Sequence, residues 1–207
     1  MRAGAVVVAA ALLLFAGPTH ADNSSRDELG YGFYFLPRPV GGTWGTSTWT
    51  PRGGGKGESA DFSGYTVDLD VNFVVTLPGD YFGVGATGGI AVNFGGSGAP
   101  SGYYLGGTFM FAPTPLIIVK AELDWCRLNG SLHPTDASAP MPTYGGLDAL
   151  RVGAGVMFIV PTKGRQYAFT LDYLRLVTIT PGDDGNGGAI DVGANTLLAG
   201  FTLVFGV

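Results

Sequence analysis

The 207-residue chain is poor in the residue types that most folds rely on. It has one cysteine, Cys126, and two histidines, His20 and His133. One thiol cannot make an internal disulfide, so the stability of an exported chain must come from elsewhere. One Cys with so few His also leaves little from which to build a transition-metal site. Charged residues are 13% of the total, against about 25% in soluble domains, too few to cover a soluble surface. The formal net charge is −5 and no basic face stands out, which argues against nucleic acid as a partner. After the N-terminal segment there is no long uninterrupted apolar run, hence no membrane helix. No segment keeps a helical period either.

The N-terminal segment itself, MRAGAVVVAAALLLFAGPTHA, has Arg2, an apolar run from Ala5 to Ala16, Gly17-Pro18 and then Thr19-His20-Ala21. That is the pattern of a secretory signal, residues 1–21, cut after Ala21 and too short to span a bilayer. It leaves residues 22–207 as one domain of 207 − 21 = 186 residues with net charge 10 − 16 = −6. No cysteine follows the cut, so a lipoprotein anchor is not expected. Cys126 reads as a small packed side chain.

The mature chain is rich in two-residue alternation. In YTVDLDVNFVVTL (65–77) every odd position is apolar or aromatic, the mark of a strand with one wet and one dry face. Similar alternation runs through 29–35, 82–94, 103–111, 117–125, 150–160, 167–173 and 197–207, giving eight strands. The connections alternate too. Pro78-Gly79-Asp80, Pro113-Thr114-Pro115 and 161–166 are short, whereas 37–60, 95–102, 127–146 and 178–189 are expected to be long loops. An up-and-down sheet with one tight rim and one extended rim gives that order.

The faces decide the solvent. An eight-stranded barrel has an interior just wide enough to be filled by side chains, and about forty large apolar groups would not fit inside. The opposite face is Gly, Ala, Thr, Asn and a few charges, which suits a narrow lumen. The apolar face therefore points outward, to lipid. Tyr31, Tyr65, Tyr103, Trp125, Tyr167, Tyr173 and Phe205 sit near strand ends as candidate interfacial girdles.

On these residues, and on the closing stretch LLAGFTLVFGV (197–207), the chain resembles the small outer-membrane β-barrels of the OmpA/OmpX/OmpW type. The resemblance implies an all-β, eight-stranded antiparallel up-and-down transmembrane barrel, monomeric, in the bacterial outer membrane. Both ends would lie in the periplasm and four loops outside. It also implies outer-membrane lipid as partner, and an insertion machinery that reads the last strand. Phe201, Leu203 and Phe205 fit that last-strand pattern, while the final residue is Val207 rather than Phe.

Several constellations could carry chemistry. Lys120, Glu122 and Asp124 share the inward face of one strand with Arg151 on the next, and Asp68, Asp70 and Asp172 also point inward. They read either as a charge-paired lumen or as a polar, proton-linked conduit, with pairing favoured by the narrow bore. Ser131 and His133 lie in a Pro-rich stretch that gives a hydrolase no rigid frame. The segment GDDGNGG (182–188) lacks the ordered ligand spacing of a calcium loop. Gly53–Gly55 precede no helix and so form no phosphate cradle. Trp44 and Trp49, placed in loop 37–60, are contact candidates for a surface ligand. No cofactor, metal or catalytic residue is expected. A structural or surface-interaction barrel leads, a narrow porin-like channel or conduit for small apolar molecules is second, and a lipid-modifying enzyme third.

Overall fold

A computed structural model describes residues 30–54, 56–77, 81–94, 100–131, 143–162, 166–184 and 188–206. Residues 1–29, with the whole signal segment, and His133 lie outside this set. Alternating sequence becomes eight long strands and one short one among the described residues. They are β1 (Gly30–Pro51), β2 (Glu58–Thr76), β3 (Phe82–Phe94), β4 (Ser101–Thr114) and β5 (Ile117–Ser131). Then follow β6 (Thr143–Pro161), β7 (Gln166–Thr180), the two-residue β8 (Gly182–Asp183) and β9 (Ala189–Gly206).

Each long strand pairs antiparallel with the next, and β1 pairs with β9, so the sheet closes on itself without a free edge along the barrel wall. One row of partners can be followed from Phe33 through Phe73, Ala86, Gly107, Leu123, Val152, Arg175 and Asn195. It returns to β1 at Thr46, 46 − 33 = 13 residues further on. That stagger is what tilts the strands and sets the bore. Pro115 and Leu116 alone turn β4 into β5, the tight rim, and Gly54, with φ +99°, helps turn β1 into β2 at the opposite rim.

The outer surface is apolar and the middle of the interior polar, the reverse of a soluble barrel. On β2, Tyr65, Val71 and Phe73 are exposed while Thr66, Asp68, Asp70 and Asn72 are buried. Tyr65 is 69% exposed and, at the same level of the wall, Tyr103, Trp125, Trp44 and Tyr173 are exposed too. Tyr103 and Trp125 meet edge-on, with ring centroids 5.8 Å apart. Near the tight rim Phe82 stacks on Phe111 at 4.9 Å and Tyr167 lies 5.4 Å from Phe201. Two aromatic belts bounding an apolar band on a closed sheet make a transmembrane β-barrel. The side chains of Tyr31 and Phe205 lie outside the described set.

The expected loop 37–60 is not a loop. β1 continues to Pro51 and β2 starts at Glu58, so the two form a long hairpin. A bulge explains the discrepancy: the register slips between Arg38 and Gly41, and Pro39 and Val40 both face outward. Inward positions are even before the bulge (Leu36, Arg38) and odd after it (Gly41, Thr43, Ser47, Trp49). Proline, which has no N–H, is tolerated there because both ladders skip Pro39 and ask no donor of it. The other long connections are shorter than expected as well, since β5 runs to Ser131, β6 starts at Thr143 and β7 runs to Thr180.

Candidate site in the barrel lumen

The bulge on β1 is what brings Arg38 into the lumen, where it is 4% exposed. Its guanidinium hydrogen-bonds Asp172 of β7 and lies 3.9 Å from Asp68 of β2. Asp68 accepts from the Tyr104 hydroxyl of β4 at 2.9 Å. The Tyr104 ring in turn carries the Arg151 guanidinium of β6, 3.6 Å above its centroid, a cation–π contact. Arg151 donates through Nε to Asp124 of β5 at 2.8 Å and approaches Glu122 at 3.6 Å. Lys120, two residues before Glu122, holds it at 3.0 Å and reaches Asp172 at 3.3 Å. The chain of contacts Arg38, Asp68, Tyr104, Arg151, Glu122, Lys120, Asp172 thus closes on itself across the bore.

All seven charged residues singled out from sequence lie buried in this region: Asp68, Asp70, Lys120, Glu122, Asp124, Arg151 and Asp172. Six join the network by ion pair or hydrogen bond, while Asp70 sits beside it, accepting from Thr87 at 2.9 Å. Arg38 and Tyr104 complete the ring and were not expected. Among the described residues three cations face five carboxylates in the lumen, and the hydroxyls of Tyr104 and Thr87 serve two carboxylates that the cations do not fully cover. Burying charge is tolerable only with such pairing.

Glycine makes the space. A Cβ at Gly200 of β9 would stand 2.5 Å from Arg38 Cδ, and one at Gly41 2.8 Å from the same atom. A Cβ at Gly155 would collide with the Asp172 carboxylate, and one at Gly106 with that of Asp124.

The lumen is not polar throughout, as the sequence had suggested. Toward the outer rim Trp49, Leu128, Tyr144, Leu147, Leu176, Ile190 and Val192 pack into an apolar cluster, with Leu147 fully buried. Toward the tight rim Leu36 and Met157 pack with Ile118, Ile159 and Val204. A cavity of about 60 Å³ touching Asp68, Tyr104 and Arg151 lies on the outer side of the ring. One of about 200 Å³, lined by Leu36, Val74, Met110 and Met157, lies on the inner side.

The structure separates the two tryptophans. Trp44 is 48% exposed on the outer wall, whereas Trp49 is inside the outer cluster at 4%. Cys126 is buried and free, packed in that same cluster. In the glycine-rich segment, Asp184 Oδ1 accepts from the Gly188 N–H at 2.8 Å, as a turn residue does. At the outer rim Arg52 pairs with Asp191 through Nε and Nη2 at 2.8 and 2.9 Å. That hydrogen bond holds its guanidinium above the ordinary arginine value.

No family model matches the chain, and no curated protein matches it in sequence. Among solved structures it is similar to Neisserial surface protein A, with TM-score 0.43 and 15% identity over 85% of this chain and 99% of that one. It is also similar to Ail, the attachment invasion locus protein of Yersinia pestis, with TM-score 0.40 and 14% identity over 84% and 99%. A third is the outer membrane protein OprG from Pseudomonas aeruginosa, with TM-score 0.35 and 12% identity over 88% and 99%. The chain's own strand pairing, closed by β1 on β9, makes it a barrel.

Proposed function

We propose that the chain is a closed, non-enzymatic barrel of the bacterial outer membrane. Its role is structural or surface interaction, carried by the hairpins that stand beyond the outer aromatic belt. One observation carries this reading: the lumen is crossed by the ring from Arg38 to Asp172, with an apolar cluster stacked on its outer side. Ions need a continuous wet path, and paired charges capped by Trp49 and Leu147 offer none. The last strand, β9, with Phe201 facing outward, is the segment proposed to be read by the insertion machinery.

The test is conductance. Refolded protein in a planar bilayer should give no stable current steps. Stable, ion-selective steps whose selectivity changes in Lys120→Glu would defeat the closed-lumen reading. A second reading, a conduit for small apolar molecules, draws on the cavity of about 200 Å³ at the inner mouth, which is lined by Leu36, Val74, Met110, Ile118 and Met157. It takes first place if the bore conducts.

A further inference from the structure

The β7–β9 ladder stops short of the outer strand ends. Its last pair is Leu176↔Ala194. Beyond it Thr178 Oγ1 fills the gap, accepting from the Val192 N–H at 2.7 Å and donating to the Val192 carbonyl at 2.6 Å. Where the strands part, the outer wall carries an open, polar groove of about 380 Å³, lined by Thr48, Thr50, Arg52, Arg175, Asp191 and Asn195 among others. Gly193 keeps its floor low, since a Cβ there would meet Thr48 Oγ1 at 2.9 Å.

The lower end of the groove is built of donors. Arg175 is exposed on the outward face of β7, and its guanidinium has no ion pair or hydrogen bond among the described residues. Its partner across the ladder is Asn195. The Asn195 side-chain oxygen Oδ1 accepts from the Tyr173 hydroxyl at 2.9 Å, which leaves the side-chain N–H₂ to donate elsewhere. At the upper end Asp191 is already paired with Arg52, and Thr50, its partner across the β1–β9 ladder, and Thr48 line the groove with that pair.

An unpaired guanidinium next to an amide donor recognises an oxyanion. Its position in the wall says which one. Below Arg175 on β7 come Tyr173, Leu171 and Phe169, all exposed, and on β9 Leu197 and Phe201. A headgroup held at Arg175 keeps its acyl chains on that band, as basic residues at a membrane boundary do for anionic lipids. From Asn195 up to Asp191 is 195 − 191 = 4 residues, about 13 Å of strand at roughly 3.3 Å each, room for sugar above a phosphate.

The geometry points to a binding site for the phosphorylated headgroup of an outer-leaflet glycolipid. The phosphate sits on Arg175 and Asn195, and sugar hydroxyls lie against Thr48, Thr50 and the Arg52–Asp191 pair. This rests on the outer-membrane reading above.

The refolded full-length barrel is titrated with diphosphorylated lipid A, with the same lipid after phosphatase treatment, and with inorganic phosphate, and bound lipid is counted by native mass spectrometry. Wild type should retain the phosphorylated lipid about tenfold better than the dephosphorylated form, the weight of one charge-assisted hydrogen bond. Inorganic phosphate should not displace it. Arg175→Gln should lose that preference, and Asn195→Asp should lose it through like charge. Arg127→Gln, whose arginine is exposed but paired with Asp148, should keep it. Equal retention by Arg175→Gln, or of the dephosphorylated lipid by wild type, overturns the site, and displacement by inorganic phosphate makes it a free-anion site instead. Heat-modifiable migration on every sample separates the two failures. A wild-type protein that never migrates as a folded barrel removes the outer-membrane reading, whereas a folded barrel with unchanged retention in Arg175→Gln removes the headgroup site alone.

Discussion

Arg38→Met takes the guanidinium out of the ring and leaves an unbranched chain in the slot between Gly41 and Gly200. Methionine is flexible enough to fill that slot, so no large cavity confuses the result. What is lost is charge pairing. Asp172 keeps Lys120 at 3.3 Å, and Asp68 keeps the Tyr104 hydroxyl at 2.9 Å. Removing one partner of a buried pair costs about 3–5 kcal/mol. With both carboxylates still partly served, the expected loss sits at the low end, about 3 kcal/mol. Adding Asp172→Asn removes the stranded charge, so the double variant should recover about 2 kcal/mol relative to additive losses. The assay is equilibrium denaturant unfolding in phospholipid vesicles, followed by tryptophan fluorescence, where a shifted midpoint at constant slope reports stability. Additive losses, or a single-variant cost below about 1 kcal/mol, would refute the claim that the ring is electrostatically closed.

Two further outcomes test the faces and the orientation. Val71→Arg places a charge on the lipid face and should cost about 2–4 kcal/mol or block insertion near the midplane; normal insertion would reverse the face assignment. Cys126 is buried, so the native protein should be silent to a thiol reagent. On intact cells Gly53→Cys in the β1–β2 turn should label, and Thr114→Cys at the tight rim should label only after permeabilisation; labelling at 114 in intact cells would invert the topology.

Where the sequence alternates strongly, as in YTVDLDVNFVVTL, the face of every residue was legible, because lipid on one side and a narrow lumen on the other penalise any slip. Where the outward face turns polar above the belt, the alternation loses its contrast. Thr46, Thr48 and Thr50 face outward and Thr43 and Ser47 inward, so β1 beyond the bulge read as a loop. Arg38 was missed for the same reason. It sits in Pro37-Arg38-Pro39, and a proline pair flanking one charge is itself a bulge signal. Tyr104 had a subtler mark: in Tyr103-Tyr104 successive side chains face opposite ways, so one of the two must enter the lumen. The apolar ends of the lumen were illegible because a buried Leu147 or Trp49 looks the same in sequence whether its partner is lipid or core.

The 36 glycines of this chain would ordinarily weaken strands. In a bore this narrow they do something else. At several points the charged side chains of the lumen lie against a residue with no side chain: Gly200 of β9 and, past the bulge on its own strand, Gly41 for Arg38, Gly155 of β6 for Asp172, and Gly106 of β4 for Asp124. Without those gaps the carboxylates and guanidiniums could not reach one another across the lumen, and unpaired they could not stay buried. Charge and glycine are therefore one device. A methyl group at Gly155 would displace the Asp172 carboxylate as surely as a mutation of Lys120 would strand it. The same constraint explains why the ring sits where the wall faces lipid. There the strands are held rigid by closure of the sheet, and the pairing geometry is fixed by backbone register rather than by loops. Above the outer belt, where β7 and β9 part and side chains meet water, the wall is free to carry recognition instead.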